Sequence, residues 1–141
     1  MICKKILVAY NESEQAKKAL AKAMDIARTD PSISIDVLYA IDVPQTTYLV
    51  GDVLPILIDS MQNHGEQLMT EAKKALASID NPTRTFIETG RAFHVILDHA
   101  AKHGNDLIVM GSRGLSGFRE FLGSVSHYVV QHSPVPVLII K

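Results

Sequence analysis

The residues best suited to chemistry in this sequence form a glycine- and serine-rich stretch between Gly111 and Ser126. Glycines stand at positions 111, 114, 117 and 123, and serines at 112, 116, 124 and 126. The apolar run before them, Leu107 to Met110, predicts a buried strand, and helical spacing begins at Val125. Glycine lets backbone N–H groups approach a ligand closely, and a helix amino terminus carries unpaired donors. The arrangement therefore predicts an anion site that suits phosphate.

The spacing of these glycines matches neither of the two common phosphate-binding loops. It lacks the Gly-Lys-Ser/Thr ending of a P-loop and the Gly-x-Gly-x-x-Gly spacing of a dinucleotide fold. On spacing alone, a glycine-rich turn that only lets two elements pack is an equally good interpretation. The sequence shows no Ser-His-Asp arrangement with a nucleophile elbow and no persuasive general base, so efficient hydrolysis is not expected.

The same stretch resembles the signature of the universal stress protein (UspA-like) family. The resemblance rests on Val109 to Gly114 followed by Gly123 to Ser126, and it extends along the chain in length and element order. Eight residues, Leu115 to Leu122, lie between the last two motif glycines, one fewer than in the pattern of the ATP-binding members. We therefore expect a shortened turn near Gly117 and weaker ATP binding than in relatives with the longer loop.

The resemblance implies a set of nucleotide contacts. The positions that match the nucleotide-binding residues of the family are Ala9, Tyr10, Asn11, Ala40, Met110, Gly111, Gly114, Gly123, Ser124, Val125 and Ser126. Arg113 joins them because its guanidinium could pair with phosphate oxygens, although a solvated loop arginine is an equally good interpretation. The implied ligand is ATP, with any Mg²⁺ or Mn²⁺ ion held by the phosphates.

Several of these polar residues also have purely structural interpretations. Most family sequences have aspartate where Asn11 stands, and a simple turn residue before a helix N-cap explains Asn11 equally well. Ser124 is expected at the start of the last helix as its N-cap, as a phosphate ligand, or as both. His99 and His103 are four residues apart on a predicted helix. We interpret them as histidines on a solvated face, because a third metal ligand is not evident and no metal site is predicted.

Strands and helices alternate along the chain, which predicts parallel strands joined by right-handed crossovers in a three-layer α/β fold. Strands are predicted at 5–10, 34–41, 83–89, 107–110 and 137–140, and helices at 14–27, about 54–79, 92–103 and 124–131. The resemblance adds an open, mostly parallel five-stranded sheet of order 3-2-1-4-5, which is Rossmann-like and adenine nucleotide α-hydrolase-like. That order puts a topological switch point between strands 1 and 4, where open α/β sheets bind ligands.

Composition narrows the classes of partner and location. Residues 1–141 are long enough for one domain with a real core, and 47% of them are apolar, which argues against disorder. Fourteen basic side chains face fifteen acidic ones, so neither nucleic acid nor an anionic membrane is an expected partner. The single cysteine, Cys3, excludes an internal disulfide, suits the reducing cytoplasm and is interpreted as inert.

Together these observations predict a small cytoplasmic universal stress protein that binds ATP at the strand 1/strand 4 crevice in stress response signalling. It would be at most a weak ATPase. The resemblance also implies a homodimer through the apolar C-terminal strand, Val137–Ile140, whose edge would be an aggregation hazard if left unpaired. The alternative is a nucleotide-free dimer of the same fold that acts as an interaction module for an unknown protein partner. An enzyme of the wider adenine nucleotide α-hydrolase group is disfavoured, because a second catalytic motif is absent.

Overall fold

Strands and helices alternate through residues 2–43, 53–112 and 123–141, which a computed structural model of the chain describes. The strands are β1 (Lys5–Ala9), β2 (Ser34–Ile41), β3 (Thr83–Thr89), β4 (Leu107–Gly111) and β5 (Val137–Ile140). The helices are α1 (Glu14–Ala27), α2 (Val53–Leu76), α3 (Ala92–His103) and α4 (Ser124–His132). The bounds of β2, β3, α1, α3 and β5 are those predicted from the sequence.

The other element ends differ from the prediction by a few residues. Helix α2 ends at Leu76 rather than near Ile79, because the Ile79 N–H turns back to the Leu76 carbonyl at 3.1 Å. Strand β1 stops at Ala9, one residue early, since the Tyr10 N–H makes the last bond to β2. Strand β4 and helix α4 each run one residue further than predicted.

The five strands form one parallel sheet in the order β3-β2-β1-β4-β5, which confirms the predicted order. Strand β1 lies between β2 and β4, with Ile6 opposite both Ile35 and Leu107. The chain leaves β1 toward β2 and leaves β4 toward β5, so the two connections diverge. The sheet therefore has its switch point between β1 and β4.

Helices cover both faces of the sheet, as the near-continuous apolar strands require. Helices α1 and α2 pack on one face, where the buried alanines of α1, such as Ala19 and Ala23, allow close approach to the strands. Helices α3 and α4 pack on the other face against Leu7, Leu38 and Ile108. The side chains of each strand alternate between these two cores.

Two helix ends carry the caps that their residue types favour. The Ser13 hydroxyl accepts the Ala16 N–H at 3.1 Å and so caps the start of α1. Gly104 ends α3 with φ 69°, the left-handed conformation that glycine adopts without strain. Among the described residues, no helix has both the length and the apolar character needed to cross a bilayer.

Candidate functional site

The carboxyl ends of β1, β2 and β4 meet at one edge of the sheet. The pairing of β1 with β2 ends at Ala9 opposite Leu38, while β2 continues to Ile41. On the other side of β1, β4 continues to Gly111. The residues predicted after β1, near the end of β2 and at the end of β4 are therefore brought to the same edge, at the switch point.

The backbone of Ala40 projects over the end of β1. In a parallel strand the N–H and C=O of alternate residues point to opposite neighbours. The Ser34 N–H bonds to Lys4 and the Leu38 carbonyl accepts from Tyr10, so the even-numbered residues of β2 face β1. Since the pairing with β1 stops opposite Leu38, the N–H and C=O of Ala40 form a donor–acceptor pair above the crevice. Such a pair matches the hydrogen-bonding edge of a purine base.

The side chains of Tyr10 and Asn11, in the turn after β1, make contacts within the protein. The Tyr10 ring is 6% exposed in the core beneath α1 and α2, and burial, followed by Glu71 and Glu14, raises the pKa of its phenol. The Asn11 Oδ1 accepts the Ser13 N–H at 2.8 Å. Asn11 therefore builds the turn that precedes the helix N-cap, which is the structural interpretation of this residue.

Gly111, at the end of β4, has a packing function in the structure. A Cβ atom at this position would lie 2.6 Å from the Gln15 Cβ and 3.1 Å from the Gln15 carbonyl carbon. Glycine thus lets the first turn of α1 rest directly on the end of β4. The preceding Met110 side chain is buried against α3 and α4.

The two ends of the glycine-rich stretch are fastened to each other. The Ser112 carbonyl accepts the Gly123 N–H at 2.7 Å and the Ser126 hydroxyl at 2.9 Å. The Ser112 N–H in turn donates to the Ile140 carbonyl at 2.8 Å. The start of α4 is therefore held beside the end of β4. Arg113, Gly114 and the turn predicted near Gly117 lie outside the described residues.

The amino terminus of α4 carries donors without a side-chain cap. The prediction of Ser124 as the N-cap is wrong: Gly123 occupies that position, and Ser124 is the first helical residue. The extended conformation of Gly123, at ψ 158°, is what places it before the helix, and it has no side chain to cap with. The first bond of the helical ladder runs from the His127 N–H to the Gly123 carbonyl at 2.9 Å. The N–H groups of Ser124, Val125 and Ser126 precede that ladder, as the first N–H groups of any helix do.

The side chains at this terminus differ in what they offer a ligand. The Ser124 side chain is exposed. Val125 packs on the core beneath α3 and α4, and Ser126 is 2% exposed with its hydroxyl directed to Ser112. With no acidic residue in the first turn, the positive end of the helix dipole is left for an external anion.

Comparison with known proteins identifies the family of this chain. The model of the universal stress protein family matches residues 3–141. Universal stress protein YxiE of Bacillus subtilis is 38% identical over 97% of this chain and 98% of its own length. The chain belongs to the universal stress protein family. The solved structure of UspA from Lactobacillus plantarum has a TM-score of 0.85 to it, with 31% identity over 98% of this chain and 97% of that one.

A more distant member of the universal stress protein family was solved with AMP bound. This protein, from Arabidopsis thaliana, has a TM-score of 0.72 and is 23% identical to the present chain, covering 98% of this chain and 91% of that one. At that identity the likeness concerns the fold. The AMP is a property of the Arabidopsis protein.

This universal stress protein also has a buried polar cluster that the sequence analysis missed. Asp36, in the middle of β2, is 2% exposed and accepts two hydrogen bonds from the Arg84 guanidinium, each 3.0 Å long. The His99 Nε2 lies 3.1 Å from Asp36 Oδ2, and the Asn105 amide donates to the same oxygen at 3.3 Å. Burial alone would raise the pKa of Asp36, but the hydrogen bonds from His99, Arg84 and Asn105 outweigh it and lower that pKa to about 2.

The interpretation of His99 as a solvated residue is wrong. Its side chain is fully buried between Asp36 and Glu88, whose Oε1 lies 3.3 Å from His99 Nδ1. His103, one turn later, is half-buried and stacks on His99 with ring centroids 4.2 Å apart. The sequence held one signal of this cluster: a charged residue, Asp36, inside an apolar strand needs a buried partner.

The surroundings of Cys3 are consistent with its interpretation as an inert residue. The residue is 3% exposed at the start of the sheet. Burial, and then the nearby Asp106 carboxylate, raise the pKa of its thiol. A thiol that stays protonated is a poor nucleophile and a poor metal ligand.

Proposed function

We propose that this universal stress protein binds an adenine nucleotide, ATP in the first place, at the crevice between the carboxyl ends of β1 and β4. The observation that carries the proposal is the amino terminus of α4, which is held at this edge by Ser112 and has no side-chain cap. The phosphates would accept hydrogen bonds from the N–H groups of Ser124 and its two successors. The adenine edge would pair with the N–H and C=O of Ala40.

Two further considerations support an adenine nucleotide. The AMP-bound Arabidopsis relative shares this fold, so the family includes a protein that uses it for such a ligand. The chain also retains the motif glycines at 111 and 123, the second of which is the residue before α4. A Mg²⁺ or Mn²⁺ ion would be held by the phosphates, since the described first turn of α4 contains no carboxylate.

The chemistry proposed at this site is binding rather than turnover. The described groups proposed to contact the phosphates are backbone donors, which position an anion but do not move a proton. Among the described residues at this edge, Tyr10 and Ser126 are buried, the Ser126 hydroxyl donates to the Ser112 carbonyl, and the Asn11 acceptor is taken by Ser13. None of these three described residues offers a free general base of the kind that hydrolysis needs. At most, weak ATPase activity is expected.

We also propose that residues 1–141 act as one cytoplasmic domain that forms a homodimer in stress response signalling. Strand β5 is an edge of the sheet, and all four of its residues are apolar and half-buried. Its even-numbered residues face β4, because the Pro136 and Ile140 carbonyls accept from Ile108 and Ser112. The N–H and C=O groups of Val137 and Ile139 therefore point away from the sheet, where a second β5 would pair with them.

The alternative is a nucleotide-free dimer that works through a protein partner. One set of contacts favours it: the Asn11 Oδ1, the Gly123 N–H and the Ser126 hydroxyl already have partners within the chain. In that case the glycine-rich stretch would serve only to join β4 to α4.

Native mass spectrometry of freshly purified protein tests both proposals together. We expect the dimer mass with one adenine nucleotide per chain, and calorimetry of nucleotide-stripped protein should then show binding of ATP but not of GTP. A folded dimer that carries no nucleotide and gives no heat with ATP, ADP or AMP would contradict the nucleotide proposal and favour the interaction module.

A further inference from the structure

Three side chains that could bind a metal meet between α3 and β3, on the face of the sheet covered by α3 and α4. Glu88 lies on β3, and His99 and His103 are one turn apart on α3. One ligand atom from each of the three lies within 4.8 Å of the others. In a tetrahedral zinc site the ligand atoms are about 3.4 Å apart, so a shift of about 1 Å or less per side chain would close the set.

His99 is already oriented as the anchor of such a set. Its Nε2 faces Asp36 Oδ2 at 3.1 Å, and the same carboxylate accepts hydrogen bonds from Arg84 and Asn105. The proton on Nε2 is therefore directed to Asp36, and Nδ1 faces Glu88 Oε1 at 3.3 Å. A carboxylate that holds one nitrogen of a histidine while the other binds a metal is the usual outer partner of a zinc ligand.

The space between His99 Nδ1 and Glu88 requires a positive occupant. A nitrogen lone pair and a carboxylate oxygen repel each other at 3.3 Å unless a proton or a cation lies between them. A proton would satisfy only this pair. A divalent cation would satisfy the pair and also use His103, whose ring stacks beside His99.

The other two side chains are partly exposed, as side chains that receive an ion from solvent must be. Glu88 has 36% of its side chain exposed, and His103 is half-buried, so both can adjust and an ion can enter from solvent. The Arg84 charge is balanced by its two hydrogen bonds to Asp36.

We propose that Glu88, His99 and His103 bind one Zn²⁺ ion or a similar divalent transition ion, with water at the fourth position. Two imidazoles and one carboxylate are a donor set that zinc accepts, whereas Mg²⁺ and Ca²⁺ prefer oxygen ligands alone. The site lies beneath α3 and uses none of the residues proposed for the nucleotide. It is therefore a second ligand site on the same chain.

Zinc binding to the untagged, full-length protein tests the proposal. The protein is stripped with a chelator, freed of nucleotide, and titrated with Zn²⁺ against a chromophoric competitor. We expect one ion per chain, and Co²⁺ in its place should give the visible absorption of a tetrahedral site. His103→Gln and Glu88→Gln should each weaken Zn²⁺ binding by more than about tenfold, since even the loss of an outer partner costs about 10–100-fold.

A matched control and a second measurement separate this site from adventitious binding. His127→Gln removes an exposed histidine of α4 and should leave the affinity unchanged. Zn²⁺ should raise the thermal midpoint of the wild type but not that of His103→Gln. No binding at micromolar Zn²⁺, or equal binding by the wild type and both ligand variants, would overturn the proposal and leave a proton between His99 and Glu88.

Discussion

The His99 imidazole and the Asp36 carboxylate form a buried pair, with Nε2 and Oδ2 3.1 Å apart and both side chains 2% exposed or less. Arg84 also balances the charge of the Asp36 carboxylate, from a position where 53% of the arginine side chain is exposed. Because the pKa of Asp36 falls from 3.8 to about 2 on folding, this carboxylate stabilises the native state only while it is ionised. The free energy of unfolding is therefore expected to depend on pH in the acidic range.

The first prediction concerns this acid sensitivity. A carboxylate whose folded pKa lies below its unfolded pKa contributes stability above about pH 4, and the contribution is lost as the pH falls toward 2. The shift corresponds to about 2 kcal/mol. Urea unfolding measured from pH 6 to pH 2 should show this loss in the wild type and a shallower dependence in Asp36→Asn. Parallel pH profiles of the two proteins would show that Asp36 is not responsible.

A second prediction tests the packing of Gly111. In Gly111→Ala the new Cβ would meet the Cβ and the backbone of Gln15, so α1 must move away from β4. Overpacking of this kind costs about 1–3 kcal/mol, which thermal or urea unfolding would detect. Gly104→Asn is the matched control, because its Cβ meets nothing within 4 Å and asparagine tolerates the left-handed conformation. Equal stability losses in the two variants would contradict the packing argument.

Much of the fold could be predicted from local pattern. Strand β2 and helix α3 have the predicted bounds, because their apolar periodicity and flanking residues, such as Gly104, are unambiguous. The end of α2 was missed because the apolar spacing continues to Ile79, although the backbone has already turned at Leu76. Periodicity records which face is apolar and not where the hydrogen-bond ladder stops.

The candidate site was less accessible to sequence reasoning for two reasons. The groups that face the crevice are backbone N–H and C=O groups, at Ala40 and at the start of α4, and side-chain identity says little about where they point. The position of these residues therefore came from the family resemblance. The group formed by Glu88, His99 and His103 was missed because Glu88 lies on β3, and only the folded sheet brings it next to the two histidines of α3.

A third prediction separates the anion site from the stability of α4. Ser124→Asp places a negative charge in the first turn, where the helix dipole favours it by about 0.3–1 kcal/mol. The same charge would repel the phosphates, and we expect ATP affinity to fall by at least about tenfold, equivalent to about 1.4 kcal/mol. The ATP affinity measured by calorimetry should therefore fall, while the thermal midpoint of unfolding rises. Ser124→Asn, which has a similar size and no charge, should keep most of the affinity. If the aspartate variant binds ATP as the wild type does, the phosphates do not lie at this terminus.

The last prediction concerns the edge strand β5. Leu138 is half-buried, and its side chain packs on the core beneath α1 and α2 while its backbone bonds to β4. In a dimer that joins two β5 strands, this side chain would lie against the partner sheet and lose the solvent it retains in the single chain. A charge there would be desolvated on association, and an unpaired buried charge is costly.

Sedimentation velocity on two variants tests this geometry. Leu138→Glu should sediment as a monomer at concentrations where the wild type is a dimer, with circular dichroism confirming that the fold is retained. Leu138→Ala removes the same packing atoms without a charge, so it should remain a dimer with a lower thermal midpoint. A Leu138→Glu protein that is folded and still dimeric would place the interface away from β5, and the exposed N–H groups of Val137 and Ile139 would then need another partner.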